Sequence, residues 1–256
     1  MEQASDRARS RVAVVTPYHT EPLEILAHCH VSVRRQTLAA DHFLIADGHA
    51  RNEIDGWAVQ HVKLPRAHGD CGCTPRGLGA LLAASEGYEF VAFLDADNWY
   101  HDDHLRSLVA VWEQRGGQVC ASFRTFHDLE GQLLPVEEAD ENALRHIDTS
   151  CFLIHRSGFA CLTDWLAMPK ALAPLCDRIF FAGLLHRRFA VSSSGARTVA
   201  FRSQYREHYE VAKRPVPSNA KDGTTLQPAL DFLVSEEGDR LCLDALGYAP
   251  VGYQAG

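Results

Sequence analysis

The chain has 256 residues, room for one large domain or two small ones, and 46% of them are apolar, enough for a sizeable core. Against 33 Asp and Glu stand 25 Lys and Arg, a net charge of −8 that argues against a nucleic-acid-binding surface. No apolar run reaches the roughly 18 residues of a transmembrane segment, the polar N-terminal tail 1–10 lacks the apolar centre of a signal peptide, and the eight cysteines are too scattered for a disulfide scaffold, so a soluble cytoplasmic protein is expected.

Val12-Ala13-Val14-Val15 reads as a first buried strand that breaks into a loop at Thr16-Pro17-Tyr18-His19. Pro22 stands where a first-turn proline is tolerated, and Leu23, Leu26, His30 and Val33 recur at helical spacing to about Gln36. Phe43-Leu44-Ile45 reads as a second strand ending in Ala46-Asp47-Gly48-His49, and residues 59–64 as a third, stopped by Pro65. The loop 66–74 is rich in Gly, Cys and charge. Its His68, Cys71 and Cys73 are either incidental or part of a zinc site, which would need a fourth ligand and matches no common zinc spacing. Pro75 opens a helix bearing Leu78, Leu81, Leu82 and Ala83.

Residues 90–100, Phe-Val-Ala-Phe-Leu-Asp-Ala-Asp-Asn-Trp-Tyr, carry the strongest signal. The apolar run reads as a central strand buried on both faces. Asp95 and Asp97 follow its end, one residue apart, and His101 to His104 open an amphipathic helix that ends near Arg115. Crowded carboxylates at a buried strand end repel each other and are costly to desolvate. A cation would relieve both costs, and hard oxygen ligands favour Mg²⁺ or Mn²⁺, ions that accompany phosphates. The alternative is that Asp95 merely ends the strand and Asp97 caps the next helix.

After Gly116-Gly117, residues 119–123 read as a strand, 126–136 as a hairpin, 137–144 as polar surface and 151–154 as another strand, followed by Ser157 as a helix cap. Asp177 precedes an apolar helical run, where its side chain can cap the helix. Short strands are expected at Val191 and 198–201, a flexible linker at 214–222 and a last helix over 226–237. Strands alternating with helices predict a mostly parallel twisted sheet, with ligands beyond the carboxyl ends of its strands. Neither GxGxxG nor GxxxxGK[ST] is present, which disfavours a Rossmann dinucleotide site and a P-loop.

Residues 12–19, 32–37, 44–48, 75–79 and 93–98 occur in an order and spacing that resembles the family-2 glycosyltransferases of the GT-A fold, over roughly 11–210. The resemblance implies a GT-A α/β domain at 11–210, with a nucleotide-binding half 11–100 and an acceptor half 101–210, and a C-terminal extension at 211–256 with one helix. It implies a nucleotide-diphosphate sugar donor, most often UDP-linked, a hydroxyl acceptor and a Mn²⁺ or Mg²⁺ cofactor. Thr16, Pro17, Tyr18 and Glu21 would line the nucleotide pocket, Asp47 would bond the base, Arg76 would sit near the diphosphate and Asp95 and Ala96 beside the nucleotide. Asp97, with Asp95 and His208, would hold the metal. Asp177 would be the general base of an inverting transfer, and Trp99, Asp148, Thr149 and Ser150 would meet the acceptor. The alternative readings have Tyr18 packing on the sheet edge, Arg76 capping a helix face, and Asp148 to Ser150 forming a plain turn. The family's usual Glu before the base is Cys176 here, and of its Asp-Asp-Gly-Ser only Asp47-Gly48 survive. Rival readings are a retaining transferase or sugar nucleotidyltransferase of the same fold, and a non-catalytic nucleotide-sugar or glycan-binding module.

Overall fold

The computed structural model describes residues 11–137 and 146–250. The tail 1–10 and most of the polar stretch 137–144 lie outside the described residues. The molecule is built on one mixed sheet flanked by helices.

Strand β1 (Val12–Tyr18) is buried along its whole length, as its β-branched run requires. Helix α1 (Leu23–Arg34) follows and leads to β2 (Ala40–Ala46), which pairs with β1 in parallel. Strand β3 (Gln60–Lys63) extends the parallel half at its edge. Helix α2 (Cys73–Ser85) returns the chain to β4 (Phe90–Phe93), the parallel neighbour on the other side of β1. A Cβ on Gly79 of α2 would lie 2.7 Å from Val15 Cγ1 and 2.8 Å from Ile45 Cγ1. The missing side chain therefore lets the helix settle directly on the sheet.

The second half reverses direction twice. Strand β5 (Trp99–Tyr100) and helix α3 (His104–Arg115) lead to β6 (Val119–His127), which forms the expected hairpin with β7 (Leu133–Leu134). Strand β8 (Phe152–His155) lies antiparallel between β4 and β6. Helices α4 (Asp164–Ala167) and α5 (Cys176–His186) precede β9 (Val191–Arg202), which runs parallel to β6 and antiparallel to β5. Six of these nine strands point one way, and β5, β7 and β8 oppose them. The reversal matters for the site. Because β8 and β5 run backwards, Asp148-Thr149-Ser150 and Trp99, at their amino ends, arrive at the sheet edge where β1, β2, β4, β6 and β9 end.

Three local expectations are corrected. The two short strands expected at Val191 and 198–201 are one twelve-residue strand, β9, whose Ser192-Ser193-Ser194-Gly195 stretch hides the apolar pattern. Ser157 does not cap a helix; His155 Nδ1 accepts from the Ser157 amide at 3.3 Å at the head of a 3-10 turn. The one helix expected over 226–237 is two, α7 (Gln227–Leu233) and α8 (Glu236–Leu246), the second capped by Ser235 Oγ on the Gly238 amide. Both follow the short helix α6 (Arg206–Val211). Ala229, Leu233, Cys242 and Tyr248 join the main hydrophobic core, and the Tyr248 hydroxyl donates to Ile179 O at 2.9 Å.

Candidate active site

Two cavities open along the carboxyl edge of the sheet, one of about 380 Å³ and one of about 450 Å³. The first is lined by Pro17, Tyr18, Glu21, Asp47, Arg76, Asp95, Ala96 and Asp97, every residue expected there except Thr16. Thr16 is fully buried beneath the edge, where its Oγ1 meets His42 Nε2 at 2.9 Å.

The Asp95–Asn98 turn is held from several sides. Arg76 Nη2 donates to Asp95 Oδ1 at 2.7 Å, and its guanidinium lies 4.7 Å from the Trp165 ring centre. Ser150 Oγ accepts from the Asp95 amide at 3.1 Å and from Asn98 Nδ2 at 3.3 Å. Asn98 Oδ1 accepts from the Arg202 amide, and Arg202 Nε donates to Asp97 O. Among the described residues the Asp97 side chain makes no ion pair. Burial, then the charges of Asp95 and Glu21, push its carboxyl up to about 7.

Tyr18 is almost fully buried, its ring stacked with His61 and its hydroxyl 2.7 Å from His61 Nε2. Burial raises its pKa. The ring thus packs as the alternative reading has it, while the residue lines the first cavity. Asp47 is also engaged: its carboxylate accepts from the His68 and Gly69 amides and pairs with His68 Nδ1 at 2.7 Å. Gly48 permits that closure, since its φ is +79° and a Cβ there would overlap the backbone of Ala67. A nucleobase reaching Asp47 therefore competes with His68. Asp70 orders the rest of this loop by accepting from the Thr74 amide at 3.0 Å at the head of α2. Among the described residues no three His, Cys, Asp or Glu side chains converge as a metal-binding group, His68, Cys71 and Cys73 included.

The second cavity is lined by Arg124, His146, Asp148, Asp177, Arg178 and His208, with Phe201, Tyr205 and Leu226 among its apolar walls. Asp177 is in the first turn of α5 rather than capping it. Its Oδ1 accepts from the Arg178 amide at 2.7 Å and its Oδ2 from His146 Nε2 at 2.6 Å. Burial alone would raise Asp177, but the His146 cation, its hydrogen bond and Arg178 more than offset this and hold it down to about 2. Burial likewise opposes charge on His146, and the Asp177 carboxylate overcomes it, so the imidazole is raised. Asp148 takes Arg124 Nη1 at 2.5 Å, and the Arg124 guanidinium lies near the Phe126 and Phe201 rings.

The remaining expected residues are placed as follows. Ser150 is fully buried and braces the acidic turn, and Thr149 is buried beside it. Trp99 lies with its ring 4.8 Å from His28 and 4.7 Å from His127. His208 faces the second cavity, not Asp95 and Asp97, with Nδ1 2.7 Å from Ser203 Oγ. His146, Arg124, Arg202 and Lys221 were not anticipated. Arg124 carried a signal, a guanidinium between Phe123 and Phe126 in a largely buried strand; His146, 31 positions before Asp177, carried none.

Residues 13–172 match the family model described as glycosyl transferase family 2. Among solved structures, S. aureus TarS superposes with a TM-score of 0.56 at 13% identity, covering 92% of this chain. The chain spans 42% of that TarS chain. TarS 1–349 in complex with UDP gives 0.57 at 15% identity, covering 92% of this chain and 70% of that one. The complex with UDP-GlcNAc gives 0.54 at 13% identity, covering 92% and 71%. At these identities the likeness speaks for the GT-A-like fold. None of the curated proteins matches the chain by sequence. No helix among the described residues is long and apolar enough to cross a membrane. The family match covers well over half of the chain, which therefore belongs to glycosyltransferase family 2.

Proposed function

We propose that the enzyme transfers a sugar from a UDP-linked donor to a hydroxyl acceptor with inversion, using Mn²⁺ or Mg²⁺ held at Asp95 and Asp97. One observation carries this reading: a cavity with crowded carboxylates and a cavity with a tethered, ionised carboxylate, Asp177, share one edge of the sheet. The complexes of S. aureus TarS with UDP and UDP-GlcNAc support a uridine nucleotide as donor carrier.

The residues present fit a divalent cation. Asp95 and Asp97 offer hard oxygen donors, and the raised Asp97 carboxyl marks a charge the protein leaves unmet. Mg²⁺ and Mn²⁺ sites of this kind use one or two carboxylates and complete their shell with phosphate oxygens and water. When bound, such an ion offsets charge on the leaving diphosphate as a Lewis acid. His208 is left out of this shell, because it lines the other cavity.

The chain's own groups divide the remaining work. Arg76 fixes the Asp95 carboxylate, and Ser150 holds the Asp95 amide and the Asn98 side chain on either side of the two acids. Asp177 accepts the proton of the acceptor hydroxyl as its oxygen bonds to the anomeric carbon and the bond to the diphosphate breaks. A positioned base contributes about 10²- to 10⁴-fold. A single displacement of this kind inverts the anomeric centre.

A thermal-shift screen of UDP-, GDP- and dTDP-sugars, with and without Mn²⁺, tests the donor. UDP-sugars should raise the melting temperature in a Mn²⁺-dependent way, following ln(1 + [L]/Kd). A shift with another nucleotide alone would overturn the uridine assignment. Proton NMR of the product anomer distinguishes inversion from retention.

A further inference from the structure

The donor cavity is dominated by acidic side chains, yet the ligand proposed for it is an anion. Arg76, the cation expected at the diphosphate, is 3% exposed and committed to Asp95. One cation in the lining is not spent in this way. Lys221 reaches the cavity from the segment 214–222, the stretch read from sequence as a linker.

That segment is strapped to the body of the protein. Arg214 Nη2 donates to Asp128 Oδ2 at 3.1 Å, and Val216 packs beside the cluster of Phe126, Leu134 and Tyr209. Around Lys221 the backbone is pinned on both sides. The Lys221 amide donates to Gln204 O at 2.7 Å, and Lys221 O accepts from the Arg206 amide at 2.7 Å. Two residues on, the Gly223 amide donates to Glu207 Oε1 at 2.6 Å. The Lys221 side chain is exposed and makes no ion pair among the described residues. Its charge reaches the Cys71 thiol in the lining of the same cavity. Burial and the Cys73 sulfur raise the Cys71 thiol, while Arg76 and Lys221 pull it back.

We propose that Lys221 contacts the diphosphate of the bound nucleotide sugar and neutralises charge gathering on the departing nucleoside diphosphate. The inference rests on the donor reading of this cavity. An ammonium is a compact, mobile charge that suits phosphate oxygens without fixed fork geometry. The strap also joins the two cavities: Lys221 lines the donor side, and Gly223 and Leu226 line the acceptor side.

The test is calorimetry with Mn²⁺ on wild type, Lys221→Ala, Lys221→Arg and Asp97→Ala, using UDP and uridine as probes. Lys221→Ala should weaken UDP by about ten- to a hundredfold, the range of a hydrogen bond to a charged group. Uridine binding should be unchanged, and Lys221→Arg should recover most of the UDP affinity. UDP affinity unchanged in Lys221→Ala, with Asp97→Ala impaired, would overturn the role of Lys221 alone. Loss of uridine binding together with UDP would also overturn it, since the strap would then be acting on the whole pocket. Wild type that binds UDP no better than uridine would overturn the donor reading and this inference with it.

Discussion

His146 Nε2 stands 2.6 Å from Asp177 Oδ2, joining the segment that leads into β8 to the first turn of α5. The contact fixes where the second carboxylate points and keeps it ionised. It also makes stability depend on pH in a defined direction. His146 is raised, so its contribution is complete below the ordinary histidine value of about 6.5 and is lost as pH rises through the folded value. Asp177 is lowered to about 2, so its contribution is complete above the ordinary value of about 3.9 and is lost as pH falls toward 2. Arg124 and Arg178 oppose charge on the imidazole without reversing this. Urea melts of wild type and His146→Gln should therefore differ most between about pH 4 and 6.5, and converge on either side. A difference independent of pH would remove the ion pair from the account.

Asp177→Asn keeps the shape of the side chain and removes its basicity. UDP binding should stay as in wild type, because Asp177 lines the other cavity. Transfer to the acceptor should fall by about 10²- to 10⁴-fold. Steady-state kinetics beside calorimetry check this, and near-normal turnover would remove Asp177 from the base role.

Ser150 acts on the donor site without touching it. Its hydroxyl accepts from the half-buried Asp95 amide and from the buried Asn98 Nδ2. Ser150→Ala leaves these donors short of a partner, at a cost of about 1–3 kcal/mol in folding stability. Urea denaturation should show a lower midpoint with an unchanged slope. UDP affinity should fall with it, as the acidic turn loses its brace.

The parallel half of the fold was legible because its strands are apolar runs that end in polar groups, as Val12 to Val15 end in Pro17 and Tyr18, and Phe90 to Leu94 in Asp95. The other half was less so, for physical reasons. Strand β5 is two residues long, too short for any period to show, and β9 runs from Val191 straight into serines and a glycine that carry no apolar alternation. The reversed direction of β8 is a property of pairing, not of its own residues. Among the residues lining the two cavities, Asp95 and Asp97 stood out through local context and Asp177 through the family resemblance. His146 and Lys221 did not, because each reaches its place through a chain segment whose course only tertiary structure sets.

Isothermal calorimetry of UDP with Mn²⁺, on wild type and on Asp97→Ala, tests the pairing of the acidic turn with a divalent ion most directly. The account predicts that wild type binds UDP only weakly without Mn²⁺ and much more tightly with it, and that Asp97→Ala loses this gain. Equal UDP affinity in the two proteins, with and without the ion, would contradict it.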